Sequence, residues 1–230
     1  RGKEGGLNGK KDALDQPATR IVALTPSDCE ILCAIGCEDA LVGRSKYCDY
    51  PESISALPVV QSGAETNIEE ILALDPQVVL MSDMSQTEEQ AKLLEQNGVK
   101  VVISDANDIS GVYTAIRMIG ALMAKDDAAE ALIGDMQATF DEIAAKSEKS
   151  GKTIYFEVSP LQWGLWTAGS GTFMDELATM CGVTNAFADI SGWQSVSEEQ
   201  VIERNPDYIV SIAGMGDTAV EEIMGRDGWS

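Results

Sequence analysis

One stretch of this sequence occurs twice, and that recurrence limits what the chain can fold into more than any other feature. Residues 67–81 run Asn67-Ile68-Glu69-Glu70-Ile71-Leu72-Ala73-Leu74-Asp75-Pro76-Gln77-Val78-Val79-Leu80-Met81, and residues 197–211 run Ser197-Glu198-Glu199-Gln200-Val201-Ile202-Glu203-Arg204-Asn205-Pro206-Asp207-Tyr208-Ile209-Val210-Ser211. An offset of 130 sets Glu69 on Glu199, Ile71 on Val201, Leu72 on Ile202, Asp75 on Asn205, Pro76 on Pro206 and Val79 on Ile209. In each copy acidic residues precede paired apolar ones, as at the start of a short helix. Asp-Pro or Asn-Pro then stops it, because proline lacks an N–H and restricts the residue before it. The short apolar runs that follow, from Val78 and from Tyr208, predict strands of a parallel sheet covered on both faces. Two copies predict two lobes.

Charge and composition narrow the function. The chain has 230 residues, 38 acidic against 16 basic side chains, a formal charge of −22 and no histidine. Such acidity repels nucleic acid and anionic membrane surfaces as direct partners. Without imidazole, Ser-His-Asp and Cys-His catalysis and His-ligated zinc or haem are excluded. No apolar run reaches the roughly 18 to 20 residues that a membrane-spanning helix needs. Arg1 to Thr19 are rich in Gly, Lys and Asp and are expected to form a flexible leader. Of five cysteines, Cys29, Cys33 and Cys37 are spaced by four, as along one stripe of a predicted helix. That stripe suits small apolar packing, or a soft metal; no second cluster completes a site, so no metal is assigned.

Taken in order, Ile21 to Leu24 predict a first buried strand, followed by a turn in which Ser27 or Asp28 caps the cysteine helix that Gly36 ends. Leu41-Val42-Gly43 predict a second strand, followed by the loop Tyr47-Cys48-Asp49-Tyr50-Pro51. Ligands of open α/β sheets sit outside the carboxyl ends of strands. Thr25 to Ser27 and Tyr47 to Tyr50 are therefore one lip of a candidate site, with Met84, in the loop after the first repeat, on the same lip. A helix over 88–97, a strand over 99–103 and a helix capped by Asp108 complete a doubly wound lobe spanning residues 20–125. Residues 127–147 carry no strong breaker and predict one long helix, of roughly 30 Å; 126–149 is accordingly the connection between lobes. The second lobe, residues 150–230, begins with a strand from Thr153 and contains Trp163, Trp166 and Trp193 in segments that predict loops, which suits an aromatic ligand platform. Only about 20 residues follow its repeat strand, so either the chain is cut or the sheet here is smaller, and the lobe is expected to be incomplete.

These motifs resemble a known family. Arg20-Ile21-Val22-Ala23-Leu24-Thr25-Pro26-Ser27, Tyr47-Cys48-Asp49-Tyr50-Pro51, the first repeat, Gly171-Thr172-Phe173-Met174-Asp175-Glu176-Leu177, Gly182-Val183-Thr184-Asn185 and Trp193-Gln194-Ser195-Val196-Ser197 together resemble the substrate-binding proteins of ABC importers for cobalamin, ferric siderophores and haem. The Tyr-x-Asp-Tyr-Pro and Trp-x-x-Val-Ser segments are most similar to the cobalamin-binding branch. The resemblance covers residues 20–230. It implies two α/β lobes joined by a single long helix, a ligand in the cleft between them, and no intrinsic cofactor or catalysis. By resemblance, Tyr50 or Tyr47 lies on one side of the ligand and Trp163, Trp166 and Trp193 on the other, while Thr25, Ser27 and Met84 are ligand-binding candidates from their place on the lip. Glu69 and Glu199 match the glutamates that dock onto arginines of the two-fold ABC permease, which works with its ATPase. The resemblance also implies an extracytoplasmic monomer, lipid-anchored at a removed N-terminus.

Broad, flat, partly apolar corrins suit aromatic walls with few charges. An anionic ferric siderophore would call for arginines, and only Arg44 is expected near the first lip. Haem would need an axial donor from Tyr47, Tyr50, Met84 or a cysteine. Cobalamin is therefore the expected ligand, with haem or a ferric siderophore as the alternative. Two other classes stay open: a chelatase- or reductase-like enzyme using Asp49, Asp83 or Glu157, and a sensor domain that reports occupancy to another chain.

Overall fold

A computed structural model describes residues 16–214 and 216–229. Most of the expected leader lies outside the described residues. Its last part is built in, since Ala18 is buried and the backbone N–H groups of Thr19 and Arg20 donate to Gln77 Oε1 at 2.7 and 3.2 Å. Regular contacts thus begin before Arg20, the expected start.

The described chain forms two compact units. The first runs to Asp105 and resumes over Tyr113–Gly134; the second takes Ala106–Val112 and continues from Asp135. The first holds strands β1 (Ile21–Ala23), β2 (Leu41–Arg44), β3 (Val78–Met81) and β4 (Lys100–Ile103), and helices α1 (Pro26–Ala34), α2 (Ile68–Ala73) and α3 (Glu88–Gln96). Helices α4 (Ile109–Leu122) and α5 (Asp126–Lys146) pass from one unit to the other. The second unit holds β5 (Thr153–Glu157), β6 (Trp166–Ala168), α6 (Phe173–Met180), β7 (Thr184–Asn185), β8 (Trp193–Ser195), α7 (Glu198–Arg204), β9 (Tyr208–Ser211) and α8 (Ala219–Met224). The first sheet is parallel throughout, in the order β2-β1-β3-β4. The second is parallel in the order β7-β5-β9, and β6 pairs with β8 as a separate antiparallel ribbon.

The repeat is real in three dimensions. In α2 the Asn67 side chain accepts the Glu70 N–H, and in α7 Ser197 and Gln200 form a reciprocal capping box. Asp75 (φ 50) and Asn205 (φ 45), each before proline, both enter the left-handed region, where Asp and Asn are tolerated best among residues with a Cβ. Ile71 and Val201 are the buried anchors of their helices. The residue after each proline ties the start of the neighbouring strand: Gln77 receives Thr19 and Arg20, and Asp207 Oδ2 receives the Thr153 N–H at 2.9 Å. β3 and β9 accordingly occupy like places, beside β1 and β5.

Burial separates the two copies. All of β3 is buried, and its Val79 and Met81 pack with Val22, Leu24, Ile71 and Leu94 in one apolar cluster. β9 is not covered on both faces as expected, since Tyr208 and Val210 are exposed and Ile212 beyond it is 51% exposed. The reason is position: β3 lies between β1 and β4, whereas β9 is at the edge of its three-stranded sheet. The core of the second unit lies instead around Tyr155, Leu165, Phe187 and Val201, and around Phe156, Ala168 and Ala178.

Three local expectations need correction. Helix α1 starts at Pro26 with Thr25 as its N-cap, not Ser27 or Asp28, because proline at the first helical position needs no N–H partner. The same helix ends at Ala34, so Cys37 lies past its end, off the Cys29–Cys33 stripe. Trp166 and Trp193 lie on strands of the antiparallel ribbon, not in loops. The long helix is present as α5, of 21 residues. It packs closely on α4, where a Cβ on Gly120 would come within 2.6 Å of the Ala129 Cβ.

Candidate functional site

In the first unit the parallel register brings the segments after β1, β2, β3 and β4 to one sheet edge. Thr25, Ser27, Tyr47, Tyr50 and Met84 all lie in those segments, so the structure gathers all five on the carboxyl edge of one sheet. Tyr47, Tyr50 and Met84 are 62%, 67% and 89% exposed. All three present large side chains to solvent along one sheet edge.

Arg44 makes the tyrosine loop possible. The side chain is buried, and it donates to the carbonyls of Ile54 (3.0 Å), Cys48 (3.0 Å), Ser55 (2.8 Å) and Ser45 (3.3 Å). Its fork therefore satisfies backbone acceptors across the loop and is not presented to a ligand, contrary to its expected place at the lip. Lys46 Nζ lies 4.9 Å from the Tyr47 ring centroid, a cation–π contact. The β3 loop is held separately, by Ser82 N–H to Gln86 Oε1 (3.0 Å), Met84 N–H to Ser82 Oγ (3.1 Å) and Asp83 N–H to Asp105 Oδ2 (2.8 Å).

Beneath this edge lies Asp28, a buried carboxylate. It accepts hydrogen bonds from the Thr25 and Ser104 hydroxyls. Burial raises its pKa to about 6, against the opposing effect of those two donors. Thr25 is thus turned toward Asp28, while Ser27 is exposed.

In the second unit, the segments after β5 and β9 enclose a cavity of about 320 Å³ lined by Pro160, Gln162, Trp163, Gly214, Thr218 and Glu222, among others. Trp163 is 77% exposed. Behind the cavity, Arg226 binds the buried Glu157 through two contacts, of 2.6 and 2.9 Å, and also Glu222. Two carboxylates around one guanidinium leave the cluster net negative. Glu157 is fully committed there, which removes it from any acid–base role at the surface. Trp166 pairs with Ser195 and is 43% exposed, whereas Trp193 packs edge-on to Phe173 at 5.7 Å. Of the three tryptophans, Trp163 alone lines the cavity.

Glu69 and Glu199 hold the second position of α2 and of α7, and both are exposed. Hydrogen bonds from its own N–H and from Ser197 hold the Glu199 carboxyl below the usual range. Among the described residues, no group of three or more His, Cys, Asp or Glu is placed to hold a metal ion, and no helix is long and apolar enough to cross a membrane.

Residues 21–230 match the model of a family described as periplasmic binding protein. The chain belongs to that family. Among similar proteins, an uncharacterised ABC transporter substrate-binding lipoprotein of Bacillus subtilis (strain 168), YvrC, is 34% identical over 95% of this chain and 72% of its own length. A vitamin B12-binding protein of Salmonella choleraesuis (strain SC-B67) is 31% identical over 91% of the chain and 78% of its own length. Among solved structures, a possible iron-binding (periplasmic solute-binding) protein of Staphylococcus epidermidis ATCC 12228 superimposes with a TM-score of 0.78 at 30% identity, over 93% of this chain and 85% of that one. The chain is a periplasmic binding protein with the α/β architecture of its relatives.

Sequence reasoning missed Gln162, Thr218, Glu222 and Arg226 in this periplasmic binding protein. The four-residue spacing of Glu222 and Arg226 was a usable sign of an ion pair. Nothing local in sequence placed Glu157 beside them.

Proposed function

We propose that this protein is the extracytoplasmic substrate-binding component of an ABC importer and that it carries a corrinoid. The reading rests chiefly on the character of the two contact surfaces. The Tyr47–Tyr50 edge offers aromatic area while its arginine is engaged internally, and the Trp163 cavity is rimmed by an acid, Glu222. Neutral amide-bearing corrins suit such surfaces, whereas the carboxylates of an anionic siderophore or of haem meet a negative charge. The similarity to a vitamin B12-binding protein across most of the chain supports the same choice, and the family is one of binding proteins, which supports a role without turnover.

Glu69 and Glu199 are assigned to permease docking. They are exposed, equivalent in the repeat, and one per unit, as a two-fold partner with paired basic sites would require.

The decisive test is titration of the purified chain with hydroxocobalamin, hemin and a ferric catecholate, followed by intrinsic tryptophan fluorescence and by absorbance after desalting. A retained corrin band with quenching is expected. Trp163→Ala and Tyr50→Ala should each weaken uptake by on the order of tenfold. Retention of hemin or the ferric chelate with no corrin band would overturn the ligand assignment. Glu69→Ala combined with Glu199→Ala should leave corrinoid uptake unchanged and abolish capture by permease in proteoliposomes. Unimpaired capture would remove the docking role.

A further inference from the structure

We propose that Glu222 reads amide against carboxylate at the Trp163 cavity: its side chain, held by Arg226, accepts an N–H from a primary amide of the ligand and turns away the corresponding acid. The inference rests on the corrinoid reading above and deepens it, by assigning the choice between neutral and acidic ligand side chains to one residue.

The arrangement starts from Glu157, which is fully buried and meets Arg226 through Nη1 to Oε2 at 2.6 Å and Nη2 to Oε1 at 2.9 Å. The same guanidinium holds Glu222, through Nε to Oε1 at 3.1 Å and through Nη2 to Oε2. Its face lies over the Trp229 ring, 4.5 Å from the centroid. Arg226 is therefore engaged on edge and face, and with its side chain only 3% exposed it gives a ligand carboxylate no approach. Glu222 differs: its side chain is 38% exposed and lines the cavity together with Pro160, Gln162, Trp163 and Gly214.

A carboxylate accepts at about four lone-pair sites, and Arg226 takes one on each Glu222 oxygen. The rest are acceptors whose direction the clamp fixes. One guanidinium is shared between two carboxylates, so the charge of Glu222 is not cancelled within the cluster. An amide N–H brought to this rim gains a charge-assisted hydrogen bond. A carboxylate in its place meets like charge, and among the described residues lining the cavity none is Lys or Arg. Cobalamin carries primary amides around its ring, and hydrolysis of one yields an acid of nearly the same shape. The Trp163 wall admits both, and Glu222 separates them by attraction to one and repulsion of the other.

Titration of the full chain at pH 7 with cyanocobalamin and with each of its monocarboxylic acids, followed by tryptophan fluorescence, tests this. At least one acid isomer should bind about tenfold more weakly than cyanocobalamin. Glu222→Gln, whose amide both donates and accepts, should bring that isomer to within about twofold of cyanocobalamin. Glu221→Gln removes the same charge from the neighbouring position, outside the cavity lining, and should leave the gap as it is. Glu222→Ala should weaken cyanocobalamin itself by about tenfold. Arg226 keeps Glu157 in all three variants, so their urea midpoints should stay near that of the wild type. Equal affinity of the wild type for cyanocobalamin and every isomer, a gap that survives Glu222→Gln or closes in Glu221→Gln, or unchanged cyanocobalamin binding in Glu222→Ala overturns the assignment and leaves the corrinoid reading standing. No binding of cyanocobalamin or of any isomer by the wild type overturns both.

Discussion

Among the described residues each unit buries one carboxylate and one guanidinium near the carboxyl edge of its sheet, and the two units treat them in opposite ways. In the second unit Glu157 and Arg226 bind each other. In the first, Asp28 is held by the Thr25 and Ser104 hydroxyls, while Arg44 is held by backbone carbonyls of its own loop. A buried charge met by an opposite charge has its cost of leaving water offset by that partner. Asp28, met by neutral hydroxyls and by the like charge of Asp105, depends on the strength of those dipoles against the cost of leaving water and the repulsion. The second arrangement makes a rigid wall behind the Trp163 cavity. The first leaves an ionisation at the base of the tyrosine edge that responds to pH.

The largest effect should come from breaking the paired arrangement. Arg226→Met leaves Glu157 buried without its cation, which costs about 3–5 kcal/mol. Arg44→Met instead strands neutral carbonyls, some of which water can reach once the loop loosens, at a cost of roughly 1–3 kcal/mol. Urea unfolding followed by a signal from each unit would measure both. Equal losses would mean that the charge pairing contributes nothing beyond its hydrogen bonds, and the contrast drawn between the units would fail.

That contrast shows which features were legible in the sequence. The repeat foretold α2 and β3, α7 and β9, and their proline stops, because helix caps and X-Pro restrictions act over a few residues. The long helix was legible because residues 127–147 carry no strong breaker. Burial was not: Val78–Met81 and Tyr208–Ser211 look alike as strings, yet one lies inside its sheet and the other at an edge, a difference that depends on which strands pair. Arg44 looked available to a ligand because a lone arginine gives no sign that distant carbonyls will surround it. The tryptophans of the ribbon looked like loop residues because strands this short carry little periodicity. Tyr47 and Tyr50 could be placed on an edge from sequence, since a loop after a parallel strand has only one end of the sheet to occupy.

The next effect isolates Asp28. Its folded-state pKa of about 6 exceeds the ordinary carboxylate value of 3.8, so the folded chain binds more protons than the unfolded chain between those limits. Stability from this group is therefore greatest below pH 3.8 and is lost as pH rises through 6. Over that window the loss is about 3 kcal/mol. Asp28→Asn keeps the shape and accepts one proton donor less well, but it does not titrate. The difference in unfolding free energy between wild type and this variant should thus change by a few kcal/mol from pH 4 to pH 7, with the wild type gaining at the acid end. A difference independent of pH would show that burial does not raise the Asp28 pKa, and the pH response assigned to the first unit would fail.

The smallest effect tests whether the two copies of the repeat remain equivalent where their burial differs. Asp75 and Asn205 adopt the same left-handed backbone before proline, although β3 after one is buried and β9 after the other is half-exposed. A left-handed residue with a Cβ costs roughly 1–2 kcal/mol relative to its right-handed form, a penalty that glycine avoids and that alanine meets without the local hydrogen bonding open to Asp or Asn. Asp75→Gly and Asn205→Gly should each be neutral or slightly stabilising, while Asp75→Ala and Asn205→Ala should each destabilise by about 1 kcal/mol. Thermal and urea unfolding of the four variants would decide the matter. Matching values at the two positions mean that the turn is a local device which keeps its energetics whatever the strand beyond it packs against. A cost confined to Asp75 would mean instead that the buried strand enforces the turn, and the likeness of the two copies would then be one of backbone shape without shared cause.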